Sequence, residues 1–279
     1  MTGRRLGAAL LLLGVVLTGC GGDDDDDGGG DDAASSSSST PSTAAEESDI
    51  PADLAVLVTN DDGVGAPGID ALVGGLRGVP GLEVTVVAPA GERSGSGGQT
   101  TSGPLTTTEA TTASGYQATA VDGFPADTVR AALDDLGLEP DLVVSGINSG
   151  QNLGQLTEVS GTVGAARAAA ARGIPALAVS AQLGGPDYST ATAQALAWLE
   201  DHRVDLAAGE VEAVVTNMNV PTCPDDSVRE VVDVPVAPEA TDAVLPPDQI
   251  DCASSLADPP DDIAAFNNGY IPVSELEPA

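Results

Sequence analysis

The sequence contains no lysine, and its nine arginines face 43 acidic residues, a formal net charge of −34. A polymeric nucleic acid or an anionic lipid surface is held by clustered basic side chains, so this balance excludes both as docking partners. There is one histidine, His202, which excludes His-rich zinc sites and phosphohistidine relays that need two. Three cysteines cannot build a four-thiolate cluster. Aromatic residues make up 2% of the chain, yet hydrophobic residues make up 42%, an ordinary share, so a core can form despite the charge.

Long apolar runs are also scarce, and the clearest stands at the N-terminus. Residues 1–20 read MTGRRLGAALLLLGVVLTGC. Arg4 and Arg5 form a basic head, and Leu6 to Leu17 form an apolar stretch too short for a comfortable membrane span. This pattern predicts a cleaved export signal rather than an anchor helix. Its end, Leu17-Thr18-Gly19-Cys20, resembles the lipobox of bacterial lipoproteins. That resemblance implies acylation of Cys20 and a domain held by lipid on the extracytoplasmic side of the cell membrane. Residues 21–52 are Gly-, Ser- and Asp-rich with almost nothing apolar to bury, and are expected to form a disordered tether. Ten acids fall in that tether, which leaves 33 acids and seven arginines in residues 53–279, still a net of −26.

Residues 53–222 read as one α/β domain, followed by a Pro- and Asp-rich extension, 223–279, that packs on it or extends it. Leu54–Thr59 is a near-continuous apolar run, as in a strand buried on both faces. Ile69, Leu72, Val73 and Leu76 have helical spacing after Pro67. Further strands are expected at 82–88, 141–145, 176–180 and 211–216. Helices are expected after Pro125, at 162–172 and at 189–201, with His202 just beyond the last. The alternation predicts a Rossmann-like, doubly wound, mostly parallel sheet with an irregular C-terminal extension.

In such sheets ligands bind beyond the carboxyl ends of the strands. The first strand is followed there by Asn60-Asp61-Asp62-Gly63, the second by the loop Arg93-Ser94-Gly95-Ser96-Gly97. The strand at 141–145 is followed by Gly146-Ile147-Asn148, and Ser160-Gly161-Thr162 opens the Ala-rich helix. Adjacent carboxylates repel unless a cation compensates them, and oxygen ligands of this kind suit Mg²⁺, Mn²⁺ or Ca²⁺. Ser94 and Asn148 are placed to add a hydroxyl and an amide oxygen. Ser160-Gly161-Thr162 is placed to offer helix N–H groups to a phosphate. Each has a plainer use as well: Asp-Asp-Gly as a turn, Ser160 as an N-cap, Arg93 as a surface arginine.

The strings VLVTNDDGVGAPGIDAL, VVAPAGERSGSGGQTTSGPL, PDLVVSGINSGQNLG and VSGTVGAARAAAARGIPALAVS together resemble the SurE family of metal-dependent acid phosphatases, or 5′/3′-nucleotidases. The resemblance runs from about Leu54 to Ser180 and continues weakly through NMNVP and the terminal DDIAAFNNGYIPVSEL. It implies Asp61, Asp62, Ser94 and Asn148 as ligands of one divalent cation, Mg²⁺ or Mn²⁺. It implies Asn60 at the catalytic pair, and Asn152 with Ser160, Gly161 and Thr162 around a substrate phosphate. Asp61 or Asp62 would orient or deprotonate the attacking water. The expected activity is hydrolysis of a phosphate monoester, above all a nucleoside 5′- or 3′-monophosphate. The alternative is a solute-binding lipoprotein that captures a phosphorylated small molecule without turnover.

The chain departs from the family at Val159, where a tyrosine is usual, and at Phe124, where a threonine is usual. Pro224–Pro260 is short and irregular where the family carries a long hairpin used in dimer exchange, which leaves a homodimer open. Cys223 and Cys252 remain after Cys20, an even pair of the kind an oxidising compartment joins as a disulfide.

Overall fold

In the computed structural model, residues 53–224, 227–238 and 249–278 are described. The export signal with Cys20, the tether at 21–52 and part of the 224–260 stretch lie outside the described residues. β1 (Leu54–Thr59) occupies the middle of the sheet because nearly every one of its side chains is apolar and buried. It pairs in parallel with β2 (Leu82–Pro89) on one side and with β5 (Leu142–Ser149) on the other. β6 (Ala176–Ala181) and β7 (Val215–Val220) continue the parallel array. The full order is β3-β4-β2-β1-β5-β6-β7-β9-β8, with β3 (Thr107–Thr111), β4 (Gln117–Val121), β8 (Val231–Asp233) and β9 (Ile271–Leu276) at the flanks. Only the β3–β4 and β7–β9 pairs are antiparallel. The chain leaves β1 toward β2 and later returns to the other side through β5, so the order reverses between β1 and β5.

Helices cover both faces. α1 (Pro67–Leu76) and α4 (Tyr188–Ala208) pack on one, over Val56, Val58, Leu142, Leu177 and Val179. α2 (Pro125–Arg130) and α3 (Gly161–Ala170) pack on the other, over Leu57, Val87, Val143 and Ala178. Each buried Leu or Val contributes about 1.5–3 kcal/mol. This is the doubly wound, mostly parallel α/β arrangement expected from the alternation of elements.

Several elements differ from the sequence reading. β3 and β4 were not expected, because TTEAT and QATAV lack an apolar run and sit at a flank of the sheet. The last parallel strand runs from Val215 to Val220 rather than over 211–216. Its Asn217 and Asn219 are buried, which a polar-out, apolar-in reading does not anticipate. α4 runs on to Ala208 and ends at Gly209, so His202 lies within the helix, its ring stacked 4.2 Å from Trp198. The helix after Pro125 closes in a wider π turn (Ala131–Asp135), and Leu136 emerges largely exposed.

The C-terminal segment enters the sheet. β9 lies between β7 and β8, and α5 (Asp262–Asn267) precedes it. Cys223 and Cys252 are joined in a disulfide with their Cα atoms 5.9 Å apart, linking the end of the β7 loop to the stretch before α5. Asp262 ties this segment to the main body. One of its carboxylate oxygens accepts from the amide of Gly154 at 2.8 Å, the other from Ala237 and Ile263, also at 2.8 Å. Gly154 opens the 3₁₀ turn (Gly154–Glu158) that leads into α3. Asp262→Ala leaves three buried amides without an acceptor, and a loss of about 3 kcal/mol is expected. A urea unfolding midpoint unchanged from the parent would refute this role.

Candidate active site

Asp61 and Asp62 follow β1, and Asn148 lies at the end of β5. The acidic pair therefore stands where the strand order reverses, the usual ligand crevice of an open α/β sheet. Asp61 is 2% exposed, and its carboxylate accepts from the Thr162 hydroxyl in the first turn of α3 at 2.7 Å. Burial, with the charge of Asp62 alongside, raises its pKa to about 6, against the opposing effect of the Thr162 bond. Asp62 is more open; it accepts from the Ser149 amide at 3.1 Å, which ties the end of β5 to the acidic pair. Its pKa is raised too, first by burial, with nearby Glu92 adding to the effect. Two carboxylates that both resist ionisation lack a positive partner.

No arginine supplies one. Arg93 donates to the Gly123 carbonyl and pairs with Asp122 at 3.6 Å. Arg130, Arg167, Arg172 and Arg203 are paired with Asp127, Glu158, Asp134 and Glu200. Arg77 and Arg229 lie over the rings of Tyr116 and Tyr270. These seven are all the basic side chains of residues 53–279 besides His202, whose ring Nδ1 donates to the Trp198 carbonyl within α4. Among the described residues there is no cluster of three or more His, Cys, Asp or Glu side chains suited to a metal. The donor set is thus two carboxylates plus neutral oxygens, which fits a hard divalent cation completed by water.

The neutral donors are placed unevenly. Asn148 is half-buried, and its amide nitrogen donates to the Gly150 carbonyl at 2.6 Å, which leaves its carbonyl oxygen to act as a ligand. Ser94 sits on an exposed loop tip, its amide bonded to Glu92 at 2.5 Å. The same loop rests on Asp61, whose carbonyl accepts from the Arg93 amide at 2.8 Å. Asn60 is fully buried and uses both ends of its amide on Gly63, at 2.9 and 3.2 Å. It locks the turn that presents the acids.

Asn152 is likewise held in a buried network. Its amide nitrogen donates to Ser180 at 2.8 Å, and its backbone is bracketed by Asn217 and Asn219. These bonds fix the loop after β5 to β6 and β7. Ser180, Asn217, Asn219 and Asp262 were missed from sequence because their partners lie 25 to 108 residues away.

Ser160 caps α3 by accepting from the Val163 amide at 3.1 Å, so Gly161 and Thr162 open the helix beside Asp61. Close approach here requires glycine. A Cβ on Gly161 would lie 2.8 Å from an Asp61 carboxylate oxygen and 2.9 Å from the Ser96 hydroxyl. A Cβ on Gly164 would lie 2.1 Å from the Gly97 carbonyl. The Gly-rich loop after β2 therefore packs directly on the first turn of α3. On the other side of Asp62 a cavity of about 480 Å³ is lined by residues 63–67, Gly91, Ser149 and the ring of Tyr188. A smaller cavity, about 220 Å³, lies at the opposite ends of β1 and β2 among Leu57, Glu83 and Gly137–Pro140, far from the acidic pair. Of the two family departures, Val159 is 52% exposed beside the Gly97 loop, and Phe124 leads into α2.

Comparison with known proteins agrees with this geometry. The family model described as Survival protein SurE matches residues 56–240. A 5′-nucleotidase SurE of Desulfatibacillum aliphaticivorans is 44% identical over 179 residues, 63% of this chain and 69% of the relative. One of Halobacterium salinarum is 41% identical over 188 residues, with the same coverage of each chain. The crystal structure of the SurE protein from Aquifex aeolicus superimposes with a TM-score of 0.65 at 26% identity, covering 81% of this chain and 94% of that one. With its fold shared and two thirds of its length matched by the family model, the chain belongs to the SurE family.

Proposed function

We propose that this protein is a metal-dependent phosphomonoesterase that hydrolyses nucleoside monophosphates, 5′-esters first, on the extracytoplasmic side of the cell membrane. The observation that carries the reading is the Asp61–Asp62 pair, set at the strand-order reversal and without any basic side chain to balance it. Relatives at 41% to 44% identity that are named 5′-nucleotidase support the substrate class. The 480 Å³ cavity beside Asp62 is of the size that holds small ligands, about 300–1,000 Å³, and it offers the Tyr188 ring to the nucleoside part.

The chain's own groups divide the work. The Thr162 hydroxyl fixes the orientation of Asp61, and the Ser149 amide fixes Asp62. The open N-terminus of α3 offers backbone N–H groups and a favourable dipole to the phosphate. Asp62 borders the cavity and orients the attacking water, accepting its proton as the water oxygen bonds to phosphorus and the ester phosphorus–oxygen bond breaks; the same proton then passes to the leaving ester oxygen, which departs as the alcohol. Asn148 and Ser94 would complete the ligand oxygens. These oxygens would hold a divalent cation, which when bound would supply positive charge to the phosphate and lower the pKa of nearby water.

Export and lipid attachment at Cys20 rest on the lipobox-like LTGC and the polar tether, and a disulfide between Cys223 and Cys252 is in keeping with an oxidising compartment. Expression of the full chain in a bacterial host fed a labelled fatty acid should give a labelled, membrane-associated protein, and Cys20→Ala should lose both label and membrane association. An unlabelled parent would sink the anchor. For the activity, purified protein with Mg²⁺ or Mn²⁺ should release phosphate from AMP and lose that activity on chelation. Asp61→Asn should lower kcat/KM by about a hundredfold or more. Tight nucleotide binding with no turnover in either metal would favour a solute-binding protein instead.

A further inference from the structure

We propose that the Ser96 hydroxyl is a phosphate-binding group of this site, donating to a substrate oxygen held against the N-terminus of α3. The assignment rests on the phosphomonoester reading above and adds a residue to it. Ser96 is 7% exposed, and its hydroxyl has no hydrogen-bond partner. A buried polar group left in this way costs about 1–3 kcal/mol, and native folds rarely keep one without a use.

Its direction is fixed by two neighbours. A point one bond out from the Gly161 Cα lies 2.9 Å from the Ser96 oxygen and 2.8 Å from an Asp61 carboxylate oxygen. The hydroxyl and the carboxylate therefore both press on the first residue of α3, too closely for a side chain at Gly161. The Gly161 amide has no partner within the helix, as for any first turn. An amide and a hydroxyl, both donors, thus stand together beside the Asp61 carboxylate.

Ser96 cannot readily swing away to satisfy itself. Its carbonyl accepts from Gln99 at 3.1 Å, and the next amide, Gly97, donates to Val159 at 2.9 Å. The Gly97 carbonyl sits against Gly164 so closely that no side chain fits there. The loop is pinned on both sides of the hydroxyl. In a site without an available arginine, a neutral donor of this kind carries more of the phosphate recognition than it would beside a guanidinium. Ser94, two residues earlier, is exposed at the loop tip.

The test compares the full parent chain with Ser96→Ala in Mn²⁺. The expected result is a fall in kcat/KM for AMP of about ten- to hundredfold, as for loss of a hydrogen bond to a charged group. Calorimetric titration with inorganic phosphate should show a similar loss of affinity, while titration with Mn²⁺ alone should be unchanged. The thermal midpoint should stay level or rise, because no bond of the folded protein is removed. A lowered midpoint would show a structural hydroxyl, and weakened Mn²⁺ binding would show a cation ligand. Either result, or an active parent with an indifferent variant, overturns the assignment. A parent that neither turns over AMP nor binds phosphate in Mg²⁺ or Mn²⁺ overturns the phosphomonoester reading itself.

Discussion

Two adjacent carboxylates without a counter-charge are the constraint around which this domain is arranged. Asp61 is almost wholly buried at the end of the central strand, and Asp62 is beside it. Burial and mutual repulsion push the proton affinity of Asp61 up to about 6, which stores an unfavourable charge state in the middle of the fold. Elsewhere in the domain arginines are paired off singly against acids or laid on tyrosine rings, each exposed pair contributing about 0–1 kcal/mol. None is spent on the acidic pair. A cation relieves the repulsion and at the same time supplies the positive charge that a phosphate requires.

Keeping that pair in place requires unusually close backbone packing. The turn that presents it is closed by Asn60, whose amide is fully used on Gly63. The loop after β2 lies on the first turn of α3 with Gly161 and Gly164 facing it, where added side chains would meet Asp61 and the Gly97 carbonyl. On the far side, Asn152 is gripped by Asn217 and Asn219 of β7, and Gly154 by Asp262 from the C-terminal segment. The C-terminal extension thus does more than complete a sheet edge. It holds the loop that delivers Ser160 and α3 to Asp61.

What the sequence makes legible follows from how local the signal is. β1, β2, β5 and β6 are apolar runs buried on both faces, and the acids and glycines at their ends stand directly after them. The family motifs lie in the same places, so the acidic pair, Asn148 and the Ser160-Gly161-Thr162 turn are found without a structure. β3 and β4 carry threonines and a glutamate at a flank of the sheet, and no run marks them. β7 lies four residues beyond the expected start, and its buried Asn217 and Asn219 find their partner in Asn152, some 65 residues earlier, where no local pattern marks them. Asn60 and Asn152 are polar residues at a strand end whose bonds secure the loops. Nothing local separates Ser94 from Ser96 in RSGSG. The distinction appears only when the loop is pressed on α3, which leaves one hydroxyl at the tip and encloses the other.

A domain of net charge −26 that takes up an anion is consistent once range is considered. The diffuse field of surface acids is screened over about 8–10 Å at 0.1–0.15 M salt. On the proposed reading, a phosphate at the strand ends would meet its partners at hydrogen-bond distance, where screening is slight, so the local donors and not the net charge would decide its binding. The same acidity would repel a long polyanion, which would meet the surface over many such lengths. A single phosphate ester is small enough to escape most of that surface field, so the net charge and a small anionic substrate do not conflict.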